Sequence, residues 1–382
     1  MGHLQVLPQT DLFQSTAAPH LLTDPVLLDA ASHLLGAWAV EYLTAGYVMF
    51  PFRLSALEIY GANLAVSERV RCEVEIQQVT PQHVRASVGL FDPDGRIRLR
   101  LVDWEDWRFF WPRELYNFVR FPKQHLLSTP WEAPISLLPR RETIVCHRVN
   151  PTPEHTRPIT IRTLVHTILS RGERLQWGEV RGVGIRQAEW LFGRAAAKDA
   201  VRWLLKKRYG MEIFPADIEI GQDTDGRPFA SLVGSGESAV MPAISIAHSD
   251  GLAVAVAGYC SEGRRLGIDV ERLRPRQEAF QVIAFSDDEL ALLDSLPDSS
   301  RDEWVTRFWC AKEATAKALG KGLVGGPRSV AVRKVHAPTG TVEVVLGDAL
   351  AHGFPELAGV PLVVYTTREE GWVAASTLCE RS

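Results

Sequence analysis

The feature that most constrains the fold is a strong helical pattern, IRQAEWLFGRAAAKDAVRWLLKKRYG, at 185–210. Good helix formers dominate it, its apolar residues recur about every 3.6 positions, and Gly210 can end it. Short alternating segments with turns between them follow at 243–259 and 264–273, and a second helical pattern covers 301–320. Long helices among short strands predict an α+β fold.

The N-terminal part shows its own helix and strands. A helix is predicted from TDPVLLDAASHLLGAWAVEYL, with Asp24 as its cap and Pro25 at the first helical position. Apolar and polar residues then alternate over 69–79 and 83–91, and a DPDG turn at 92–95 leads to a further strand. One helix followed by a meander of antiparallel strands is again an α+β pattern.

The chain length and a change in pattern divide the chain into domains. Its 382 residues favour two or three domains. Prolines and polar residues interrupt the periodicity near 126–142. We therefore expect an N-terminal domain over 1–128, a linker over 129–141, and a C-terminal domain over 142–382 whose halves span about 142–245 and 246–382.

Composition excludes several classes of protein. The net charge of −4 gives no reason to expect a nucleic acid or a membrane surface as partner. No run approaches the ~18 apolar residues of a membrane span. The N-terminus lacks a signal-peptide pattern, and its abrupt start favours a piece of something longer. The scattered cysteines, without a CxxC pair, indicate reduced thiols and a cytoplasmic location: Cys72, Cys146, Cys260, Cys310 and Cys379.

Carboxylates and lysines gather in two segments of the C-terminal domain. In GIDVE, 267–271, side chains alternate, so Asp269 and Glu271 share one face of a strand. In the helix at 301–320, Glu313 and Lys317 are four apart and share a face. Such a group would suit Mg²⁺ and a polyphosphate, since Mg²⁺ prefers oxygen ligands and lysines neutralise phosphoryl charge.

Each of these patterns also has a commoner structural explanation. A D-x-E on a strand is usually a solvated face, and an E-x-x-x-K pair is usually a surface ion pair. His248 could be a histidine satisfied at a strand end, and the GRP at 226–228 could be a turn. No G-x-x-x-x-G-K-[ST] sequence is present, so P-loop nucleotide binding is unsupported.

The order and spacing of the motifs resemble the 4′-phosphopantetheinyl transferase superfamily. They are similar to its surfactin-type branch, in which a single chain holds two similar α+β halves, and the resemblance covers roughly residues 142–382. The motifs that carry it are Arg186 with Gly193-Arg194, Gly226-Arg227-Pro228, Ser245-Ile246-Ala247-His248-Ser249, Gly267-Ile268-Asp269-Val270-Glu271 and Trp309-Cys310-Ala311-Lys312-Glu313-Ala314-Thr315-Ala316-Lys317.

The resemblance implies a reaction and a catalytic group. Members of this family move the phosphopantetheine arm of coenzyme A onto a serine of a carrier protein and release 3′,5′-ADP. By that analogy Asp269, Glu271 and Glu313 would hold Mg²⁺, and Glu313 would take the serine proton directly or through water. Its pKa is expected to be low beside a metal and Lys317, whose ammonium would stabilise the pyrophosphate.

The resemblance also implies a coenzyme A site. Arg186, Arg227 and His248 match positions that hold the adenosine phosphates and ribose. Lys312 is expected near the phosphates, and Ser249 next to His248 is included in the coenzyme A contacts. AHS stands where S-H-S is commoner, which leaves one hydroxyl contact open.

The N-terminal domain resembles the second half of a polyketide synthase dehydratase, a double hot-dog fold. Asp29 and His33 match the D-x-x-x-H motif of its central helix. The partner histidine, in an H-x-x-x-G-x-x-x-x-P segment, is missing, so dehydration by this chain alone is not expected. Alternatively, Asp29 and His33 form a hydrogen bond on the helix surface. A homodimer through the hot-dog domain is left open.

These observations favour a phosphopantetheinyl transferase fused after half a dehydratase. Its substrate would be an acyl carrier protein domain, in the first instance that of its own polyketide synthase. A second hypothesis is a hot-dog acyl-thioester dehydratase or thioesterase fragment with a vestigial transferase. A third is a non-catalytic docking module in which both parts serve assembly. The complete set Asp269, Glu271, Glu313 and Lys317, against the missing dehydratase histidine, favours the transferase.

Overall fold

The structure, a computed structural model, describes residues 1–10, 12, 14–16, 21–43, 46–139, 143–180, 184–234, 240–260 and 265–379. The chain divides into two compact units, residues 1–113 and 114–382. The helices are α1 (Pro25–Tyr42), α2 (Arg113–Arg120), α3 (Pro158–Ile168), α4 (Arg171–Glu179), α5 (Ile185–Tyr209), α6 (Glu278–Ala284), α7 (Asp287–Asp294), α8 (Arg301–Leu319) and α9 (Asp348–Ala351).

In the described part of the chain, the strands fall into four sheets. They are β1 (Gly2–Gln5), β2 (Tyr47–Arg53), β3 (Ala56–Ile59), β4 (Arg69–Val79), β5 (His83–Phe91), β6 (Ile97–Phe110), β7 (Thr129–Pro130), β8 (Ile144–Val149), β9 (Ile218–Gln222), β10 (Pro228–Leu232), β11 (Ala243–Ser249), β12 (Leu252–Gly258), β13 (Arg265–Arg272), β14 (Val330–His336), β15 (Thr341–Leu346), β16 (Leu362–Glu369) and β17 (Trp372–Cys379). All strand pairs are antiparallel.

The N-terminal unit is one helix packed on one antiparallel sheet, which is the expected hot-dog fold. The sheet order is β1-β4-β5-β6-β2, and β3 also pairs with β6. Asp24 begins α1 as predicted, because its Oδ1 accepts the N–H groups of Val26 and Leu27 at 2.9 and 3.1 Å. The buried face of α1, Leu27, Ala31 and Leu35, packs on the inward-facing residues of the central strands.

The C-terminal unit has two halves of similar design, as predicted. In the first half, α5 packs against a sheet of order β11-β12-β8-β7. In the second half, α8 packs against a sheet of order β13-β17-β16-β15-β14. The halves meet where β11 lies beside β13, and there the N–H of Ile268 donates to Ser245 Oγ at 3.1 Å.

A buried ion pair organises the first half. Ser170 and Glu173 form a capping box at the start of α4. Lys198 of α5 is fully buried, and its Nζ donates to Glu173 Oε2 and to the carbonyl of Ile168. Glu173 Oε1 accepts the N–H of Ile220 in β9 at 3.1 Å. The pair therefore ties α4, α5 and the β9–β10 hairpin together.

The second half repeats this ion pair. Ser286 and Glu289 form a capping box at the start of α7. Lys312 of α8 is fully buried and donates to Glu289 Oε2 at 2.9 Å and to the carbonyl of Ala284 at 2.7 Å. Glu289 Oε1 accepts the N–H of Val332 in β14 at 2.7 Å. The two halves thus share a helix, a capping box, a buried pair and a hairpin in the same order, which marks an internal repeat.

The observed boundaries differ from the predicted ones. The units separate between Arg113 and Glu114, and residues 129–139 of the predicted linker belong to the second unit, where β7 pairs with β8. Residues 140–142, with the end of that linker and the predicted domain start, lie outside the described residues. The predicted division between residues 245 and 246 falls inside β11. The first sheet needs both β11 and β12, so it runs on to Gly258.

Candidate functional site

Strand β13 and helix α8 come unusually close together at Gly267. A Cβ atom on Gly267 would lie 2.0 Å from the carbonyl oxygen of Ala314 and 2.8 Å from the Cβ of Ala318. Only glycine fits such an approach of backbone to backbone. The contact brings the carboxylates that follow on β13 alongside the helix that carries Glu313 and Lys317.

The alternation predicted for GIDVE is observed. Ile268 and Val270 are buried in the apolar core that the two halves share. Asp269 and Glu271 point to the other face, as expected for a strand. Asp269 is nevertheless only 5% exposed, so its carboxylate lies between the strand and α8 rather than on a solvated surface.

Asp269 is paired with Lys317. Lys317 Nζ donates to Asp269 Oδ1 at 2.6 Å. Burial by itself lowers the pKa of Lys317, but the carboxylate of Asp269 outweighs it, so the pKa of Lys317 is raised and its ammonium stays charged. Asp269 Oδ2 is buried and has no hydrogen-bond partner among the described residues. Burial raises the pKa of Asp269, and Lys317 and the thiol of Cys310 oppose that effect. Apart from this weak thiol donor, the described residues leave one acceptor of the carboxylate unsatisfied.

Glu271 is held by two other side chains. Its Oε2 accepts hydrogen bonds from Ser249 Oγ at 3.1 Å and from Arg276 Nη2 at 2.8 Å. Ser249 ends β11, so this contact joins the first half to the acidic face of β13. Arg276 lies in the segment between β13 and α6, and no motif in the sequence had singled it out.

Glu313 stands on α8 one turn before Lys317, where the pair was predicted to share a face. Burial raises the pKa of Glu313, the negative charges of Asp269 and Glu271 raise it further, and Lys317 opposes them. The low pKa predicted for Glu313 refers to a site with a metal ion beside it and stays a prediction. The negative charges of Asp269 and Glu271 thus disfavour the charged form of Glu313.

The carboxylate group fits a divalent cation in its chemistry. Within the described ranges, no three His, Cys, Asp or Glu side chains converge closely enough to hold a metal ion as they stand. However, Asp269 offers a buried oxygen without a donor, and the charge repulsion at Glu313 would be relieved by a cation. Oxygen donors of this kind are what Mg²⁺ prefers.

His248 and Ser249, both predicted to contact coenzyme A, lie beside this group at the end of β11. His248 Nδ1 is 3.6 Å from Glu189 Oε2 of α5. Glu189 Oε1 also accepts the N–H of Gly251 at 3.0 Å, which fixes the turn after β11. Burial lowers the pKa of His248, and the carboxylate of Glu189 opposes that effect.

Glu189 was missed by the sequence analysis. Its only signal was its position three residues after Arg186, which places both side chains on one face of α5. Arg186 is exposed on the first turn of that helix, one turn before Glu189. The structure thus puts Arg186 on the helix face that leads to His248.

Arg227 lies at the far end of α8. It closes a turn in which its guanidinium donates to Asp223 Oδ2 at 3.0 and 3.1 Å. The turn packs on Gly320, which ends α8 with φ 77° and where a Cβ atom would be 3.0 Å from the Cβ of Arg227. Lys321 adds an ion pair to Asp225 of the same turn. Arg227 therefore stands one turn beyond Lys317.

Lys312 does not belong to the site. The sequence analysis placed it near the phosphates, but its ammonium is fully buried on the opposite side of α8 and donates to Glu289 and to two backbone carbonyls, those of Ala284 and Pro327. Five positions separate Lys312 from Lys317, which turns their side chains about 140° apart on a helix of 3.6 residues per turn. Lys312 is therefore a structural residue, whereas Lys317 faces the carboxylates.

In the N-terminal unit, Asp29 and His33 form a pair on α1. Asp29 Oδ2 is 3.5 Å from His33 Nε2, and the two side chains are 75% and 74% exposed. This matches the alternative of a helix-surface contact. Because both side chains are exposed, the pair lacks the buried environment in which catalytic acids usually lie.

Comparison with known proteins identifies the family of the C-terminal unit. Residues 265–359 match a family model described as the 4′-phosphopantetheinyl transferase superfamily. The holo-[acyl-carrier-protein] synthase of Geobacillus kaustophilus (strain HTA426) is 38% identical over 94 residues, which is 25% of this chain and 69% of that protein. The chain belongs to the 4′-phosphopantetheinyl transferase superfamily. The residues that the family model matches include β13 and α8, the two elements that carry the carboxylates.

Two cyanobacterial relatives extend the match. The 4′-phosphopantetheinyl transferase HetI of Nostoc sp. is 32% identical over 132 residues, 34% of this chain and 52% of that protein. A putative 4′-phosphopantetheinyl transferase of Synechocystis sp., slr0495, is 29% identical over 133 residues, 34% of this chain and 50% of that protein. The chain spans about half the length of these two relatives.

The N-terminal unit matches a different family. Residues 2–105 match the model described as the polyketide synthase dehydratase N-terminal domain. The predicted half of a dehydratase is confirmed, although its motifs had resembled the second half. Among solved structures, the fluoroacetyl-CoA thioesterase FlK is similar at 13% identity and a TM-score of 0.26, covering 32% of this chain and 90% of that one. At so low a score it bears on no activity.

The structural role of Lys312 can be tested by stability. Lys312→Met would leave the buried Glu289 without its cation, which should lower the free energy of unfolding by about 3–5 kcal/mol. Lys321→Met, at a partly exposed ion pair, should cost less than about 1 kcal/mol. Urea denaturation followed by circular dichroism measures both. If Lys312→Met leaves the stability unchanged and weakens coenzyme A binding, Lys312 binds phosphate as the sequence predicted.

Proposed function

We propose that the chain transfers the 4′-phosphopantetheine arm of coenzyme A to a serine of an acyl carrier protein domain and releases 3′,5′-ADP. The observation that carries this proposal is the convergence of Asp269, Glu313 and Lys317 at the close contact of β13 with α8. The family membership supports the same reaction class. The dehydratase match favours a carrier domain of a polyketide synthase as the substrate.

In this reaction the serine oxygen forms a bond to the phosphorus that bears the pantetheine arm. The bond from that phosphorus to the oxygen of the 3′,5′-ADP leaving group breaks, and the serine proton is transferred to a base. Glu313 is the candidate base, since it shares a face of α8 with Lys317 and this helix lies against the strand that carries Asp269. Lys317 keeps its positive charge beside Asp269 and would stabilise the charge on the phosphoryl oxygens.

Asp269, Glu271 and Glu313 are the residues that would hold Mg²⁺. The metal would neutralise the pyrophosphate and so favour departure of the nucleotide. The adenosine end of coenzyme A would be bound by Arg186, Arg227 and His248. Arg186 lies on α5, Arg227 lies beside the end of α8, and His248 lies at the end of β11. Ser249 would keep Glu271 in place through its hydroxyl.

The alternative functions are less well supported. A thioesterase or dehydratase with a vestigial transferase would not need the buried Asp269–Lys317 pair, and the exposed Asp29–His33 pair lacks a catalytic setting. A non-catalytic docking module would not need to bind coenzyme A. We infer a cytoplasmic location, since no disulfide joins the described cysteines. Within the described part of the chain, none of the helices combines the length and apolar character needed to cross a bilayer.

Loss of single carboxylates tests the transferase. Asp269→Asn and Glu313→Gln keep the shape of each side chain and remove its charge, so the rate of carrier modification should fall at least about 10²-fold. The chain is incubated with coenzyme A, Mg²⁺ and a carrier domain, and the added mass is followed by intact mass spectrometry. Asp29→Ala is the control and should leave the rate unchanged. Full activity of either site variant, or full activity in excess chelator, would contradict the proposal.

The arginines are tested by comparing coenzyme A with its 3′-dephospho form. Arginine suits a phosphate because its planar fork makes paired, charge-assisted hydrogen bonds. Arg186→Ala or Arg227→Ala should weaken binding of coenzyme A, measured by calorimetry. At least one of them should bind dephospho-coenzyme A nearly as well as the unsubstituted protein does. Arg333→Ala, at an exposed arginine of the same unit, is the control. Equal discrimination by all variants would show that neither arginine contacts the 3′-phosphate.

We also propose that the hot-dog unit pairs with a second copy through β2. This strand ends the sheet order, and the exposed side chains Phe50, Phe52 and Trp107 lie along it and its neighbour β6. Phe52 and Trp107 already contact each other, with ring centroids 6.2 Å apart. Free backbone groups beside exposed aromatic rings are a surface that a second strand covers.

The dimer predicts a measurable change in mass. The chain should be a dimer by light scattering, and Phe50→Glu with Phe52→Glu should convert it to a monomer, because two carboxylates would be buried at the pairing edge. Val40→Glu, at an exposed residue of α1, is the control and should stay dimeric. If the unsubstituted chain is a monomer by light scattering, the proposed dimer is wrong.

A further inference from the structure

Each carboxylate on β13 has one oxygen held by a cation of the protein. Lys317 holds Asp269 Oδ1 at 2.6 Å, and Arg276 holds Glu271 Oε2 at 2.8 Å. Lys317 belongs to the motif on α8, whereas Arg276 is contributed by the segment after β13. The Arg276 side chain is only 16% exposed, and its guanidinium lies 5.3 Å from the centre of the Phe280 ring. Arg276 is therefore a fixed part of the site.

The position of Arg276 conflicts with a metal at Glu271. A divalent cation bound by Glu271 would lie close to the guanidinium that now contacts this carboxylate, and like charges repel strongly in a partly buried setting. Arg276 has no second carboxylate among its described ion pairs, and its Nε is buried without a hydrogen-bond partner. Removal of Glu271 as a partner would thus leave the arginine in need of another anion.

Coenzyme A would supply that anion. Its pyrophosphate must lie beside the carboxylates if the proposed reaction is correct, and a guanidinium binds phosphate oxygens through paired hydrogen bonds. Arg276 could then exchange Glu271 for the pyrophosphate, and Glu271 would become free for the metal. The metal needs Glu271 to be free of Arg276, and Arg276 then needs the pyrophosphate as its new partner. Binding of the metal and binding of coenzyme A would therefore favour each other.

We propose that Arg276 is a placeholder cation that couples metal binding to coenzyme A binding. It neutralises Glu271 while the pyrophosphate is absent and moves to the pyrophosphate when coenzyme A binds. The inference rests on the proposed transferase function, and it assigns Arg276 as a positioning residue rather than a catalytic one. Metal affinity without coenzyme A is kept low by this contact.

The neighbouring Arg274 provides a matched control. It carries the same charge two positions earlier in the same segment, but it is 53% exposed and lies 3.3 Å from Asp250 rather than from a carboxylate of the site. Arg274→Gln removes one positive charge near the site without releasing Glu271. Any general electrostatic effect on metal binding should therefore appear in both variants, and the specific effect only in Arg276→Gln.

The experiment measures Mn²⁺ binding to the full chain by electron paramagnetic resonance, with and without coenzyme A. The unsubstituted protein should bind Mn²⁺ about tenfold or more tightly when coenzyme A is present. Arg276→Gln should bind Mn²⁺ about tenfold more tightly than the unsubstituted protein without coenzyme A, and adding coenzyme A should then improve binding little. Arg276→Lys, which keeps the charge, should retain most of the coupling and serves if the glutamine variant does not fold.

The outcomes separate this inference from the proposed function. If the unsubstituted protein binds Mn²⁺ with coenzyme A but Arg276→Gln behaves like it, or like Arg274→Gln, the placeholder role is overturned while the metal site stands. The placeholder role is also overturned if coenzyme A does not strengthen Mn²⁺ binding to the unsubstituted protein and to Arg276→Lys. If no variant binds Mn²⁺ in either condition, the proposed metal site fails and the inference fails with it.

Discussion

The site depends on one contact, the approach of β13 to α8 at Gly267. A side chain there would overlap the carbonyl oxygen of Ala314, so the strand can lie against the helix only with glycine at this position. Because side chains alternate along β13, Asp269 then falls on the helix side, next to Lys317 and near Glu313. A wider separation would place water between these groups and weaken every charge interaction among them.

The clustering of carboxylates has an energetic cost that the surrounding side chains offset. Lys317, Arg276 and Ser249 each donate to an oxygen of Asp269 or Glu271. What remains is a raised pKa at Asp269 and at Glu313, and one buried oxygen of Asp269 without a hydrogen-bond partner among the described residues. Unsatisfied groups of this kind concentrate where a protein binds a charged ligand, because the ligand completes them.

The internal repeat places an acidic residue at equivalent positions of the two long helices, and the two residues have different roles. In both halves a buried lysine of the long helix, Lys198 or Lys312, is followed directly by an acidic residue. In the second half that residue, Glu313, faces the carboxylates of β13. In the first half it is Asp199, whose Oδ2 accepts the N–H groups of Leu127 and Ser128 at 2.8 and 2.9 Å. A segment of the chain itself satisfies Asp199, so the equivalent position is structural.

The sequence by itself determined the cap at Asp24, the shared face of Asp269 and Glu271, and the shared face of Glu313 and Lys317, because each follows from a local pattern. The two α+β halves were implied by the family that the motifs resemble. Only the tertiary structure decided the roles of Lys312, Glu189 and Arg276. A lysine in a motif can face the core or the site, and that choice depends on which side of α8 meets the sheet. Likewise, the contacts of Glu189 and Arg276 join segments that are distant in sequence or unmarked by any motif, so no local pattern could predict them.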